Sequence, residues 1–195
     1  MARIIYIKEA RTKGYLAIGV VEGEEKRALV ASAAVYAEIG SPMRGEELSE
    51  QALCALDGSS EEYRAMKKAL SLLGYADNSE RALGAKLVRA GFSREVAGRV
   101  VDEVVRLGYI REDEQLERLI LAEATSRLAG PMKLIPKLVS KGYSAAAVRD
   151  AMRSLCERGE LDFEENKRRL IEKKLGEEFT DEERREILYK NGYKV

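Results

Sequence analysis

The chain has 195 residues, enough for one ordinary domain or two small ones. Its 34 basic residues balance 34 acidic ones, so no long-range field of either sign steers it to a partner. Histidine, the commonest general base and metal ligand, is absent, and Cys54 and Cys156 are too far apart to form a CxxC site. No apolar run is long enough to span a membrane and no signal peptide is evident, so we expect a cytoplasmic protein.

The first quarter of the chain is the one part with β-strand signals. Three apolar, β-branched runs separated by short turns predict a small antiparallel meander, with strands near residues 4–8, 15–21 and 27–30. Short helices are expected over residues 33–39 and 46–56. Residues 57–60, Asp-Gly-Ser-Ser, are the clearest linker, so we predict a small N-terminal β/α domain over residues 1–58.

An internal repeat governs the sequence from residue 59 onward. Glycines recur every 17 residues with one position skipped and the last one early, at 74, 91, 108, 142, 159, 176 and 192. Five of these seven are followed by an aromatic residue. A glycine just past a helix adopts the left-handed conformation without a Cβ clash, and the next residue packs on the last helical turn. Each unit is therefore predicted to be one helix closed by a Gly–aromatic turn.

Helix start signals agree with these stops. Ser79, Ser93 and Ser144 are suitable N-cap residues, and capping boxes are predicted at residues 59–62 and 180–183. The predicted helices lie near residues 60–73, 79–90, 93–107, 113–128, 131–141, 144–158, 163–175 and 181–191.

Grouping these helices in threes gives a period of 51 and then 50 residues, set by the glycines at 91, 142 and 192. The predicted modules are residues 59–110, 111–161 and 162–195, the last one lacking its third helix. The expected fold is therefore mainly α: tandem three-helix repeats in an elongated, curved array, preceded by the β meander with its short helices. Pro136 lies inside one predicted helix and should kink it.

The sequence offers little that could carry catalysis. Ser93 and Ser144 are better explained as helix caps than as nucleophiles. The acids at residues 112–114 could hold a hard cation, but they fit the helix dipole equally well. The two cysteines are expected to be small buried apolar residues, since no cationic cluster accompanies them. We therefore predict a protein that is not an enzyme and uses no metal or cofactor.

Basic residues on equivalent helices are the better indication of function. Three lysines on one predicted helix recur every four residues and form a ridge, and further basic residues occupy helices of the first and third modules. The candidate partner-binding residues are Lys86, Arg89, Lys133, Lys137, Lys141, Arg168, Arg169 and Lys173. A solvated face is the other interpretation, because acids are equally numerous and several lie at helical spacing to these bases.

Several motifs, in this order, carry a family resemblance. They lie at residues 69–75, 79–93, 107–114 and 130–144 and include Leu-Gly-Tyr, Arg-Ala-Gly-Phe-Ser, Leu-Gly-Tyr-Ile and Lys-Gly-Tyr-Ser. Over about residues 60 to 193 the chain resembles the RecX family of bacterial regulatory proteins, which modulate the recombinase RecA. The N-terminal meander is similar to an extra β-containing segment of some members.

The resemblance implies three helical repeats that lodge in the groove of the RecA–DNA filament. Such proteins restrain the ATP hydrolysis, strand exchange and co-protease activity of the filament, and they have no catalytic residues. The implied partners are RecA and its filament on single-stranded DNA, with weak direct DNA contact and no membrane. We expect a monomer, because no apolar repeat face is evidently left unpaired.

A second function class stays open. Each unit of helix, short glycine turn and helix has the outline of a helix-turn-helix, which would make the chain a transcription regulator that binds duplex DNA. No single predicted helix gathers basic, base-reading residues, and the overall charge is not basic, so this alternative is the less favoured one.

Overall fold

The computed structural model describes residues 2–175 and 179–194. Two compact units are formed, one by the residues up to Gly74 with Gly84–Val104, the other by Tyr75–Leu83 with the residues from Val105 onward. The strands are β1 (Ala2–Glu9), β2 (Tyr15–Glu22), β3 (Glu25–Ser32) and β4 (Glu47–Leu48). The helices are α1 (Ala33–Glu38), α2 (Glu50–Tyr75), α3 (Glu80–Arg89), α4 (Arg94–Arg106), α5 (Glu112–Ser126), α6 (Pro131–Ser140), α7 (Ala145–Glu157), α8 (Phe163–Leu175) and α9 (Asp181–Lys190).

The predicted antiparallel meander is confirmed, with the strand order β3-β2-β1-β4. Alternate side chains along each strand face the core, so Ile18 and Val20 on β2 are almost fully buried. They pack in one cluster with Leu29 on β3 and Leu56 on α2. The sequence missed β4, whose two residues are too few to give an alternating pattern.

The predicted linker at residues 57–60 is wrong, because α2 runs through it without interruption. The Ser59 Oγ accepts a hydrogen bond from the backbone N–H of Ser32 at 3.0 Å, and the Ser60 Oγ accepts one from Val30 at 3.2 Å. Both donors lie on β3, an edge strand of the sheet. Both serines therefore lie within a helix and accept hydrogen bonds from backbone N–H groups at the edge of the sheet. Such partners are distant in sequence, so the residues around position 58 do not indicate them.

Two related predictions fail for the same reason. The boundary proposed at residue 58 lies inside α2, and the capping box proposed at residues 59–62 does not begin a helix. Ser49 takes that place, since its Oγ accepts a hydrogen bond from the N–H of Ala52 at 3.1 Å. The helix expected over residues 46–56 accordingly begins only at Glu50.

The mainly helical fold predicted for the rest of the chain is confirmed, and the helix ends follow the glycine series. The positive φ angles expected of helix stops occur at Gly91, Gly108, Gly142, Gly159 and Gly192. Gly74 is an exception because α2 continues through it to Tyr75, and Gly176 lies outside the described residues. After four of these glycines the next N–H donates to the apolar residue four before the glycine, namely Leu87, Leu138, Leu155 and Leu188.

Two apolar clusters lie among the described residues of the second unit. One is formed by α5, α6 and α7 around side chains such as Ile120, Leu138 and Leu155, and Pro136 stands inside α6 on its exposed side. The other joins α8 and α9 around Leu170. Within the described ranges no helix is long and apolar enough to cross a membrane.

Both cysteines are exposed, so the prediction that they are buried is wrong. On α2, Leu53 and Leu56 are three residues apart and share the face that packs on the sheet. Cys54 follows Leu53 by one residue and so points about 100° away from that face.

Candidate partner-binding surface

The predicted lysine ridge lies on α6, but its members differ in their surroundings. Lys133 and Lys141 are exposed, whereas Lys137 is half-buried and its Nζ lies 2.5 Å from Oε2 of Glu123 on α5. The Glu123 carboxylate, 17 % exposed, also pairs with Arg127 at 3.3 Å. Lys137 therefore joins two helices, since a partly buried carboxylate left without its cation would be costly.

The basic residues predicted in the third module lie on α8. Arg168 is exposed and pairs with Glu165 one turn earlier, at 3.2 Å. Arg169 and Lys173 line a shallow cleft together with Thr125 and other residues at the end of α5. This cleft brings two of the predicted α8 cations to the same feature of the surface.

Lys86 and Arg89 occupy the last turn of α3, where cations favour the negative end of the helix dipole. Both side chains are exposed and belong to the first compact unit. The α6 and α8 residues belong to the second unit. The role of all eight residues in partner binding stays a prediction.

Sequence reasoning missed how two Gly–Tyr turns are used. The turn at Gly142, after α6, lies against the start of α3. The Ser79 hydroxyl caps α3 by accepting from the N–H of Ala82 at 3.2 Å, and it donates to the carbonyl of Lys141 at 2.9 Å. A Cβ on Gly142 would meet the Ser79 Oγ, so the close approach requires glycine. Tyr143, next along the chain, is buried.

The turn at Gly192, after α9, lies in the same way against the start of α6. The N–H of Gly130 donates to the carbonyl of Asn191 at 2.7 Å, and the N–H of Met132 donates to the carbonyl of Gly192 at 3.0 Å. The N-cap of α6 is Gly130, which has no side chain to cap the helix. The carbonyls of the turn therefore satisfy N–H groups that a helix start leaves without internal partners.

Tyr193 anchors this second turn. Its side chain is 1 % exposed, and its hydroxyl donates to the carbonyl of Leu128 at 3.1 Å. The ring meets Phe163 edge to face with centroids 6.4 Å apart, and the Lys167 ammonium lies 5.7 Å from its centroid. Burial raises the pKa of Tyr193 to about 12.

Glu112, at the start of α5, accepts a hydrogen bond from the first turn of α3. The Glu112 Oε1 accepts a hydrogen bond from the N–H of Glu80 at 3.3 Å. Burial and then the nearby Glu80 carboxylate raise the pKa of Glu112 above its ordinary value. Burial, followed by the Glu112 charge, also raises the pKa of Tyr143. These shifted groups lie at a helix junction, where they organise packing.

Two of the remaining aromatic turns are not packed as predicted, whereas Phe92 is half-buried. Tyr75 is 93 % exposed and Tyr109 is 55 % exposed. The sequence predicted that the residue after each glycine would pack on the last turn of its own helix. In contrast, the turns of Tyr143 and Tyr193 each pack against the start of another helix. The local Gly–Tyr motif does not indicate this contact.

Across residues 2–175 and 179–194, no group of three or more Cys, Asp or Glu side chains is arranged to hold a metal ion. The described surfaces instead present separate exposed cations and aromatic residues. Such features suit binding to a macromolecule.

The fold and this surface define a helical-repeat protein with a small N-terminal sheet. No protein-family model matches the chain. A crystal structure described as regulatory protein RecX has the same fold, with a TM-score of 0.72 and 18 % identity, covering 100 % of this chain and 95 % of that one.

Two relatives share sequence as well. The regulatory protein RecX of Clostridioides difficile (strain 630) is 23 % identical over 147 residues, which are 75 % of this chain and 67 % of the relative. That of Stenotrophomonas maltophilia (strain K279a) is 30 % identical over 112 residues, 57 % of this chain and 66 % of the relative. The matches thus span about two thirds of each relative. In sequence and in fold, the chain is similar to regulatory proteins of the RecX family.

Proposed function

We propose that this protein binds the RecA recombinase and the RecA filament on single-stranded DNA, and lowers the filament's ATP hydrolysis, strand exchange and co-protease activity. It acts in the cytoplasm as a monomer, by binding and without catalysis, in the regulation of DNA repair and recombination. The observation that carries the proposal is the match over 147 residues to a regulatory protein RecX. RecA as the partner comes from the family resemblance over about residues 60 to 193.

The surface supports this proposal in a more limited way than the sequence predicted. Lys133 on α6 and Lys141 at its C-cap are exposed, about two helical turns apart. The Lys133 ammonium donates to the carbonyl of Lys190 at 3.4 Å, whereas Lys137 is engaged with the Glu123 carboxylate. We therefore assign filament contact to Lys133 and Lys141 and treat Lys137 as a stabilising residue. Zero net charge suits a partner that is mostly protein, with a few cations available for phosphates.

The first test is the single-stranded-DNA-dependent ATPase of the cognate RecA, with this protein titrated from far below stoichiometry. We expect inhibition. Inhibition at low ratios would indicate capping of filament ends, and inhibition near one protein per several RecA subunits would indicate binding along the groove. An unchanged ATPase rate, with intact filaments and folded protein, would contradict the proposal.

A salt titration separates this function from the duplex-DNA alternative. A protein that reads duplex DNA binds bare duplex tightly, and its affinity falls steeply with salt because counterions are released. A filament modulator binds the filament well and bare duplex weakly. Tight duplex binding without any effect on RecA would favour the helix-turn-helix interpretation.

A charge-reversal pair tests the α6 surface. We expect the double variant Lys133→Glu/Lys141→Glu to weaken inhibition about tenfold, because it reverses two exposed charges and leaves the Lys137–Glu123 pair intact. Arg149→Glu/Arg184→Glu, on exposed positions of α7 and α9, is the matched control and should inhibit like the wild type. If both double variants inhibit equally well, Lys133 and Lys141 do not contact the filament.

A further inference from the structure

In the described part of the N-terminal sheet, one face lies outside the apolar cluster that the sheet forms with α2. The strand register places its side chains in three rows across β1, β2 and β3. The rows are Arg3, Val21 and Lys26; Tyr6, Gly19 and Ala28; and Lys8, Ala17 and Val30. We call this set the open face of the sheet.

The opposite face of the sheet carries an apolar cluster. Ile4, Ile18, Leu29 and Ala31 lie there with Leu56 of α2. Open-face side chains such as Val21 and Val30 are only half-buried, and they are not part of that cluster. The open face therefore presents Ala28, part of Tyr6 and the exposed Lys8 and Lys26 to solvent.

Tyr6 dominates the centre of the open face. A bulge in β1 between Ile4 and Tyr6 shifts the register, and the Tyr6 ring then lies against the backbone of Gly19. A Cβ on Gly19 would collide with the ring and would lie 2.9 Å from Cγ1 of Ile5. Glycine on the central strand thus provides the space in which an aromatic ring is held on a flat surface.

Cations flank this ring. The Lys8 ammonium lies 5.2 Å from the Tyr6 centroid, and Lys26 lies exposed on the opposite edge strand. Arg3 is also on this face but is bound to Glu47 of β4 at 3.1 Å, which neutralises it. Lys8, whose ammonium lies over the ring, and Lys26 are therefore the cations of the open face that can contact a ligand.

The turns at the two ends of the sheet differ in charge. The β1–β2 turn beside Lys8 contributes Arg11 and Lys13, whereas the β2–β3 turn beside Lys26 contributes Glu24 and the adjoining strand ends contribute further acids. An anionic chain is consequently favoured more at the Lys8 end than beside the acids near Lys26. This polarity suits a short, extended polyanion.

We propose that the open face binds single-stranded DNA, with a base stacked at Tyr6 and phosphates contacted by Lys8 and Lys26. The Tyr6 ring is partly exposed. An aromatic ring on a sheet, beside cations that follow the backbone, is the combination by which proteins hold unpaired bases without reading sequence. Between the cations the face offers Ala17, Gly19 and Ala28, which have no side-chain group for a ribose 2′-hydroxyl. For that reason we commit to DNA over RNA.

The test is fluorescence anisotropy of the full chain with a labelled oligothymidylate, repeated over a range of salt concentrations. Lys8→Ala/Lys26→Ala should bind about tenfold more weakly at low salt. Its slope of log affinity against log salt should be shallower by about 1.4, since each phosphate contact on a single strand contributes about 0.7. Lys68→Ala/Arg94→Ala, which removes two exposed cations elsewhere in this unit, should match the wild type.

The ring is tested separately. Tyr6→Leu keeps an apolar cover over Gly19 but removes the aromatic surface, so binding should fall at least fivefold with an unchanged salt slope. Tyr6→Phe should bind like the wild type. Circular dichroism and thermal unfolding establish that each variant is folded, and the exposed lysine pair keeps the test valid if Tyr6→Leu is unstable.

Three results would overturn the proposal: no binding by the wild type, wild-type affinity in Lys8→Ala/Lys26→Ala, or tighter binding of oligouridylate than of oligothymidylate. Because these measurements contain no RecA, they stand or fall independently of the proposed function.

Discussion

Two Gly–Tyr turns in the second unit have the same local sequence signal and opposite surroundings. Gly108 and Gly192 both end helices with φ angles of 75° and 86°. Tyr109 is 55 % exposed, whereas Tyr193 is 1 % exposed and hydrogen-bonded to Leu128. The motif therefore determines where the helix ends, while the helix start packed against the turn determines whether its tyrosine becomes part of the core.

The position within the repeat distinguishes the two kinds of turn. Gly142 and Gly192 each follow the second helix of a predicted module, and each lies against the start of the second helix of the preceding module. Gly108 follows a third helix, and nothing lies within 4 Å of the place where its Cβ would be. The same contact used twice is the nearest-neighbour contact expected of a repeat array.

Substituting the glycines should give the largest difference between the two kinds of turn. In Gly108→Ala we expect a loss of about 1–2 kcal/mol in the free energy of unfolding, from the left-handed backbone alone. In Gly192→Ala the new Cβ would also lie 2.6 Å from the Lys133 backbone nitrogen, so the α6 start must move and the loss should exceed about 3 kcal/mol. Urea unfolding measures both, and equal losses would contradict the distinction.

The cap serines give the next largest difference. Ser79 and Ser93 both cap helices, but the Ser79 hydroxyl also donates to the carbonyl of Lys141 in the docked turn. Ser93→Ala should therefore cost about 1 kcal/mol. Ser79→Ala should cost about 2 kcal/mol, because a buried carbonyl loses its donor as well. If thermal unfolding gives the same shift for both variants, the link between the Lys141 carbonyl and the α3 start contributes nothing.

The sequence predicted the helical part well because its signals are local. A serine that caps its own helix and a glycine that ends it act within a few residues, as at Ser144 and Gly159. Residues 57–60 were misread because their polar groups are satisfied by a strand about 30 positions away in the chain. At Gly74 the prediction was off by one residue, since α2 ends at Tyr75, one position past the glycine.

The candidate surface was less predictable than the fold. Periodicity places Lys133, Lys137 and Lys141 on one ridge, but it does not show that Glu123 of the preceding helix engages the middle one. In the same way, the strand pattern predicts a sheet but not that Tyr6 lies over Gly19, because that contact depends on a bulge and on cross-strand register.

Removing one hydroxyl from each kind of turn should give the smallest difference at neutral pH. Tyr193→Phe loses the hydrogen bond to the Leu128 carbonyl and should cost about 1 kcal/mol, while Tyr109→Phe, on an exposed ring, should cost almost nothing.

The difference should then shrink in alkali. Burial raises the pKa of Tyr193 to about 12, so the folded protein keeps a phenol proton that the unfolded chain releases near pH 10. Between these two pH values the unfolded state binds fewer protons, and the stability of the wild type must fall as the pH rises. Tyr193→Phe lacks this contribution, so its stability should fall less from pH 9 to 12 than that of the wild type or of Tyr109→Phe. Parallel curves for all three proteins, measured by urea unfolding at each pH, would show that the Tyr193 hydroxyl ionises as readily in the folded turn as in the unfolded chain.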